Sequence, residues 1–186
     1  MVGPNGAGKS TFAQEILARQ LPGTLFVNAD VIALERWPGD PESHSYEAAR
    51  IAAATRSALI ESGRQFIAET VFSHPSKIAL IDQAQDAGYF VALHVLMLPE
   101  HVAVARVAAR VERGGHSVPE NKIRERYQRL WPLIAVAVAR VPSAEFWDNS
   151  TLDGPDLVAE LASGQLLAPP KWPSWTPEVL TGRWAA

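Results

Sequence analysis

One stretch constrains this chain of 186 residues more than any other: Gly3-Pro4-Asn5-Gly6-Ala7-Gly8-Lys9-Ser10-Thr11, which fits the pattern G-x-x-x-x-G-K-S/T. Its glycines let the backbone curl until successive N–H groups point inward at an anion. Lys9 supplies a mobile point charge for β- and γ-phosphates, and the Ser10 hydroxyl suits Mg²⁺. Thr11 to Ala18 reads as a helix, whose N-terminal dipole adds to the anion site. A glycine-rich turn before a helix would explain the glycines but not the lysine and hydroxyl after them. Asn5, Gly6, Ala7, Gly8, Lys9, Ser10 and Thr11 are therefore the expected nucleotide-binding residues, with Ser10 as the Mg²⁺ ligand. The strand that normally feeds such a loop has only Met1 and Val2 to form it, so it is either very short or begins upstream.

Composition narrows the class. The length suits one domain over 1–186, with a core over 1–152 and a Pro/Trp-rich tail over 165–186 pinned to it by its aromatics. Hydrophobic content of 47% and charged content of 20% are ordinary for a soluble globular chain. A net charge of −3 gives nucleic-acid binding no support. With no cysteine, disulfides, thiolate metal sites and cysteine nucleophiles are excluded. The longest apolar run, Leu130 to Val141, is too short for a membrane span and contains Pro132 and Arg140. No signal peptide is legible before the loop, so a cytoplasmic protein is expected.

Strand-like and helix-like runs alternate along the chain. Strands are expected at Thr24 to Asp30, Gln65 to Phe72, Tyr89 to Leu98 (central and buried on both faces) and, as a short last strand, Glu145 to Trp147. Helices are expected at Tyr46 to Glu61, Ser76 to Asp86, Pro99 to Glu112 and Pro119 to Arg140. This rhythm predicts an α/β P-loop NTPase fold, a three-layer sandwich around a central, mainly parallel sheet.

Ligands of open parallel sheets bind at the carboxyl ends of the strands. Asp30, Glu69, Thr70 and Asp148-Asn149-Ser150 fall there. A carboxylate on that rim can take a proton from an attacking hydroxyl or hold Mg²⁺ through water. Asp30 is assigned as the base and Glu69 to substrate or metal. The plainer roles are a helix N-cap for Asp30 and a salt bridge for Glu69. Arg106, Arg110 and Arg113 share one helix face, Gly114-Gly115 offers a hinge, and Arg124, Arg126 and Arg129 follow. An arginine-rich helix-hinge-helix is what a phosphoryl-transfer lid requires. The alternative is a solvated face paired with Glu112, Glu120 and Glu125. His116 in the hinge can touch phosphate or cap a helix. His44, His74, His94 and His101 have no metal-ligand spacing, and His94 reads as a core residue.

Together GPNGAGKST (3–11), FVNAD (26–30), AETVFS (68–73), GYFVALHVLML (88–98), RVxxRVxxGGHSVP (106–119), IRERYQR (123–129) and DNS (148–150) resemble the zeta-toxin-like P-loop kinases. More narrowly, they are similar to the branch often labelled "predicted ABC-type ATPase". The likeness implies a nucleotide-kinase-like fold with an arginine lid, and an ATP-dependent kinase of a small-molecule hydroxyl. Zeta toxins phosphorylate the sugar of UDP-N-acetylglucosamine, and an antitoxin protein can block their nucleotide site. Carried over residue by residue, the resemblance makes Asp30 the base and puts Glu69 and Thr70 at the substrate; His116, near where the family has an arginine, is also expected at the substrate. Lys9, Arg113, Arg126 and Arg129 fall at the phosphates, and Arg110 and Asn149 at the nucleotide.

Other readings are a nucleotide-binding switch without turnover, or a kinase of an antibiotic, a sugar acid or an RNA end. Leu161-Ala162-Ser163-Gly164-Gln165 looks like the LSGGQ signature of transporter ATPases, but no apolar strand ending in Asp-Glu follows it.

Overall fold

The computed structural model describes residues 1–115 and 117–185. The chain folds as two compact units, Ser10–Thr70 and Met1–Lys9 with Val71–Ala186.

The phosphate loop runs into α1 (Lys9–Phe12), a π-helical turn (Ala13–Leu17) and α2 (Ala18–Gln20). In that turn the Ala18 N–H donates to Ala13 O, one residue further back than in an α-helix. β1 (Leu25–Val27), α3 (Ala29–Arg36), α4 (Ser45–Glu61) and β2 (Phe66–Ala68) complete Ser10–Thr70. β1 and β2 pair in parallel, Phe26 opposite Ile67. Val27, Ala52 and Leu59 form the core with Ala29, Ile32 and Phe66 against it. Both strands are shorter than the apolar pattern predicts. Asn28 turns the chain into α3 directly after Val27, so Asp30 lies in the first turn of a helix and not at a strand end. β2 stops at Ala68, although the Glu69 N–H still donates to Val27 O at 3.1 Å.

In the other unit, Val2 ahead of the phosphate loop forms a single β-bridge. Val2 pairs in parallel with Val95, its N–H donating to His94 O at 2.8 Å and its carbonyl accepting from Leu96 N at 2.9 Å. α5 (Ser76–Asp86) leads to β3 (Ala92–Met97), which lies between Val2 and β4 (Ser143–Asp148). β3 and β4 are parallel, with Val95 opposite Phe146. β3 starts later than expected, because Tyr89-Phe90-Val91 lies outside it and Phe90 is exposed. Between β3 and β4 come α6 (Glu100–Glu112) and α7 (Glu120–Val138).

β4 is not the last strand, which corrects the sequence reading. β5 (Asp156–Ala162) pairs antiparallel with β4, and β6 (Gln165–Leu166) antiparallel with β5. Ser163 (φ +48°) and Gly164 (φ +77°) form the two-residue turn between them. Leu161 to Gln165 is therefore a β-hairpin tip and not a transporter signature. The aromatic tail seals this end of the sheet. Trp172 Nε1 donates to Trp184 O at 2.8 Å, and Trp184 Nε1 to Gly164 O at 2.9 Å. Phe146 meets the Trp172 ring edge-on, with centroids 5.2 Å apart. Leu180 of α8 (Glu178–Thr181) is fully buried. The apolar face of the Leu130 to Val141 run lies in the core, and among the described residues no helix is long and apolar enough to cross a membrane.

Candidate functional site

The phosphate loop depends on its glycines. Gly3, Gly6 and Gly8 hold φ of +146°, +75° and +77°, where side chains are disfavoured. A Cβ at Gly6 would stand 2.9 Å from Ala103 O, one at Gly8 would stand 2.6 Å from Asn149 Nδ2, and one at Gly3 would overlap Leu96 O. Lys9 is buried, and its Nζ donates to Pro4 O at 2.9 Å across the loop. The loop also holds a shielded polar atom with no hydrogen-bond partner, Asn5 Oδ1. A loop curled at three positive-φ glycines with a buried lysine at its end fits a nucleotide phosphate chain.

The far side of the loop is pinned by the segment after β4. Asn149 N–H donates to Met97 O at 2.9 Å, and Asn149 Nδ2 to Ala7 O at 2.9 Å. Asp148 Oδ1 accepts from Ser150 N at 2.8 Å, shaping the turn. Arg106 on α6 then holds that turn by its carbonyls: Asn149 O at 2.8 Å, Thr151 O at 3.0 Å and Ser150 O at 3.4 Å. Arg106 therefore anchors the rim beside the loop, a role the arginine spacing did not reveal, because the carbonyls it meets are more than forty residues away.

Within Ser10–Thr70, Glu69 is the meeting point. Its Oε2 accepts from Ser10 Oγ at 2.8 Å and from Asn28 Nδ2 at 2.6 Å. Buried Asn28 also caps α3, its Oδ1 accepting from Asp30 N at 2.6 Å and Val31 N at 3.3 Å. The cap is thus Asn28 and not Asp30, whose exposed carboxylate stands free of that duty in the first helical turn. Asn28 was legible as a cap residue type before an apolar run, but Asp30 two positions later competes for the same signal. Ser10 and Glu69 present hydroxyl and carboxylate oxygens side by side, a donor set that fits Mg²⁺ held mainly by phosphates. Thr70 follows, half-buried.

The Gly114-Gly115 pair is a helix cap. Gly114 takes φ +81°, Gly115 N–H donates to Arg110 O and Gly114 N–H to Val111 O, the paired bonds of a Schellman end to α6. Of the arginines, Arg110 and Arg113 are exposed at that end, and Arg126 is half-buried on α7. Arg124 is bound to Glu120 and Glu100, which hold its guanidinium above its usual pKa, and Arg129 stands 4.0 Å from Glu125. For Arg124 the paired-surface reading holds. His116 lies outside the described residues. Among those residues no cluster of His, Cys, Asp or Glu could hold a metal by itself.

Residues 1–133 match the model of a family described as an AAA domain, AAA_33. The chain belongs to that family. It is 30% identical to an uncharacterized protein of Haemophilus influenzae over 129 residues, 67% of this chain and 88% of that protein. Among solved structures it is similar to AvrRxo1-ORF1:-ORF2 with ATP, with a TM-score of 0.68 at 16% identity. That match covers 100% of this chain and 62% of the other, so this AAA-domain chain spans less than two thirds of that relative's length. It is also similar to the PezAT chromosomal toxin-antitoxin system of Streptococcus pneumoniae (TM-score 0.61, 11% identity, 98% and 76% covered). A third likeness is to the Pnkp1/Rnl/Hen1 RNA repair complex (TM-score 0.53, 24% identity, 72% and 43% covered). At these identities the likeness is one of fold, and the fold of this AAA-domain protein is that of the P-loop kinases.

Proposed function

We propose that this protein transfers the γ-phosphate of ATP to a hydroxyl of a small molecule, with a nucleotide sugar such as UDP-N-acetylglucosamine as the first candidate. The observation that carries this reading is the Ser10–Glu69 hydrogen bond of 2.8 Å, with exposed Asp30 on the neighbouring α3 turn. A module that only binds nucleotide also uses a serine and a carboxylate for Mg²⁺, but it has no need of a base, so Asp30 is what separates the kinase from the switch.

The roles follow from the chemistry of each group. The loop N–H groups and Lys9 hold the phosphate chain, with Asn149 keeping the loop closed and Arg106 holding Asn149. Ser10 and Glu69 would hold Mg²⁺, which supplies charge neutralisation on the phosphates when bound. Asp30 accepts the proton of the acceptor hydroxyl as that oxygen bonds to the γ-phosphorus. The bond from the γ-phosphorus to the bridging oxygen breaks, and ADP leaves with that electron pair. Glu69 and Thr70 orient the acceptor, and Arg110, Arg113, Arg126 and Arg129 neutralise the phosphates. The PezAT toxin-antitoxin likeness supports a protein partner of antitoxin type as part of the same reading.

The test is ATP consumption with Mg²⁺ across a panel of UDP-sugars, the product identified by mass, with Asp30→Asn and Lys9→Ala as controls. Loss of the base is expected to slow transfer by about 10²–10⁴-fold. Loss of Lys9 removes a preorganised charge and should cost roughly 3 kcal/mol of barrier or more. ATP binding with no transfer to a UDP-sugar, an antibiotic, a sugar acid or an RNA end would support the switch instead. Undiminished turnover in Lys9→Ala would overturn the mechanism.

A further inference from the structure

Among the described residues Arg56 is a buried cation with no ion pair or hydrogen bond to its side chain. It sits on the inner face of α4 with Ala48, Ala52, Leu59 and Ile60, and only 6% of its surface is exposed. Its Nε is shut off from solvent with no hydrogen-bond acceptor. Arg19, Arg36, Arg50 and Arg64, the other arginines of Ser10–Thr70, are all exposed. Burial alone acts on the guanidinium, pulling its pKa down, with no carboxylate opposing it. The inward neighbours one and two turns toward the helix N-terminus, Ala52 and Ala48, carry no polar atom. A buried charge without a counter-ion is costly, and an apolar side chain would serve the core better.

The topology says where the charge is directed. α4 ends at Ser62 with Gly63 (φ +64°) closing it, Gly63 N–H on Ile60 O and Arg64 N–H on Leu59 O. The chain turns straight into β2, so α4 runs back against the strand. Its N-terminal half lies toward the strand ends that carry Asn28 and Glu69. Arg56 lies five residues before the helix end, roughly 7.5 Å along the axis. Glu69 lies three residues beyond the start of β2, about 10 Å along it. Helical side chains lean toward the helix N-terminus, so the Arg56 guanidinium leans toward this rim.

We propose that Arg56 is an oxyanion subsite of the acceptor, and that the acceptor is accordingly an anionic metabolite carrying a phosphate or carboxylate and not a neutral sugar or alcohol. This rests on the kinase reading of the same rim. The planar guanidinium fork matches either oxyanion in a bidentate fashion. With Asp30 and Glu69 both acidic, an anionic acceptor needs a local counter-charge, and Arg56 is the buried cation available for it.

The test uses the whole protein with its phosphate loop saturated by β,γ-methylene-ATP and Mg²⁺. Thermal melts are run with inorganic phosphate and with acetate as the two oxyanion probes. Calorimetry then compares N-acetylglucosamine 1-phosphate, UDP-N-acetylglucosamine, glucuronate and neutral N-acetylglucosamine. The parent is expected to be stabilised by at least one oxyanion, and the responding probe separates phosphate from carboxylate. Arg56→Met should lose that stabilisation and weaken the best anionic ligand tenfold or more. Arg56→Lys, which keeps charge but not the fork, should fall between. Equal oxyanion response in the parent and Arg56→Met overturns the proposal, as does neutral sugar binding as tightly as its phosphate. Without ligand, Arg56→Met should melt no lower than the parent, since an unpaired buried charge is gone. A clearly lower melting temperature would mark a structural residue and also overturn it. Failure of the ATP analogue to bind would refute the kinase reading while leaving the parent-to-variant comparison readable.

Discussion

Replacing Gly8 by alanine tests the geometry of the phosphate loop most directly. The residue holds φ +77°, and a left-handed backbone costs an L-residue about 1–2 kcal/mol. The new Cβ would stand 2.6 Å from Asn149 Nδ2, so the amide has to move. Moving it breaks the 2.9 Å bond from Asn149 Nδ2 to Ala7 O, worth about 1 kcal/mol, with more lost if that carbonyl is left dry. The sum is about 2–4 kcal/mol, which for a chain of this size lowers Tm by roughly 5–15 °C. Differential scanning calorimetry reads the loss, and titration with ATP reads the accompanying drop in affinity. The mechanism makes a sharper demand. In an Asn149→Ala background the amide is already gone, so Gly8→Ala should cost only its backbone strain. The two substitutions should therefore be coupled by about 1 kcal/mol. Additive losses, or a Gly8→Ala protein melting within about 2 °C of the parent, would refute the reasoning.

Three further outcomes are expected. Arg106→Ala should lose about 2–4 kcal/mol of stability together with ATP affinity, because it frees the Asn149 and Thr151 carbonyls. Arg106→Lys should recover only part of this, since an ammonium cannot fork, and full recovery would refute the clamp. The Tyr127 hydroxyl donates to Leu98 O at 3.0 Å, and burial, helped by the Glu100 charge, pushes its pKa up to about 12. Its stabilising effect is thus complete below the unfolded value near 10 and is lost as pH rises through the folded one. Absorbance titration against Tyr127→Phe should show one phenol missing from the ordinary transition. Glu145 is held below the usual glutamate range by its 2.9 Å contact with His94, so its contribution is present above about pH 4.3 and is lost as pH falls through the folded value. Denaturant titrations from about pH 3 to 6 should show that acid-side loss in the parent and not in Glu145→Gln.

Much of the site was legible because its signals are local. The phosphate loop is a nine-residue pattern whose glycine, lysine and hydroxyl positions follow from backbone curvature and charge alone. The helix Ser76–Asp86 falls where apolar periodicity and the closing Gly88 put it, since both marks act within one or two turns. Glu69 and the run Asp148-Asn149-Ser150 could be placed at strand ends once the alternation of elements was read, whereas Asp30 falls in the first turn of α3. Glycines marked where helices stop, and Gly114-Gly115, expected to offer a hinge, closes α6 with a cap. A hinge and a Schellman end ask the same residue type of the sequence, and only the backbone bonds to Arg110 and Val111 tell them apart.

The sequence by itself therefore determined the loop, the helices and the α/β class, all of which rest on interactions within a few residues. Tertiary structure alone decided which polar groups work together. Ser10 and Glu69 meet across 59 residues. Asn28 reaches Glu69 because β1 and β2 pair in one register, while its cap on α3 is a local contact, a role the sequence reading offered to Asp30. Arg106 became an anchor because a turn 43 residues later offers it carbonyls. Val2 is held at the edge of β3 because that strand supplies partners for both its N–H and its carbonyl. The antiparallel β5–β6 hairpin was hidden for the same reason. Short strands carry little periodicity of their own, and what stabilises them is the neighbour they pair with.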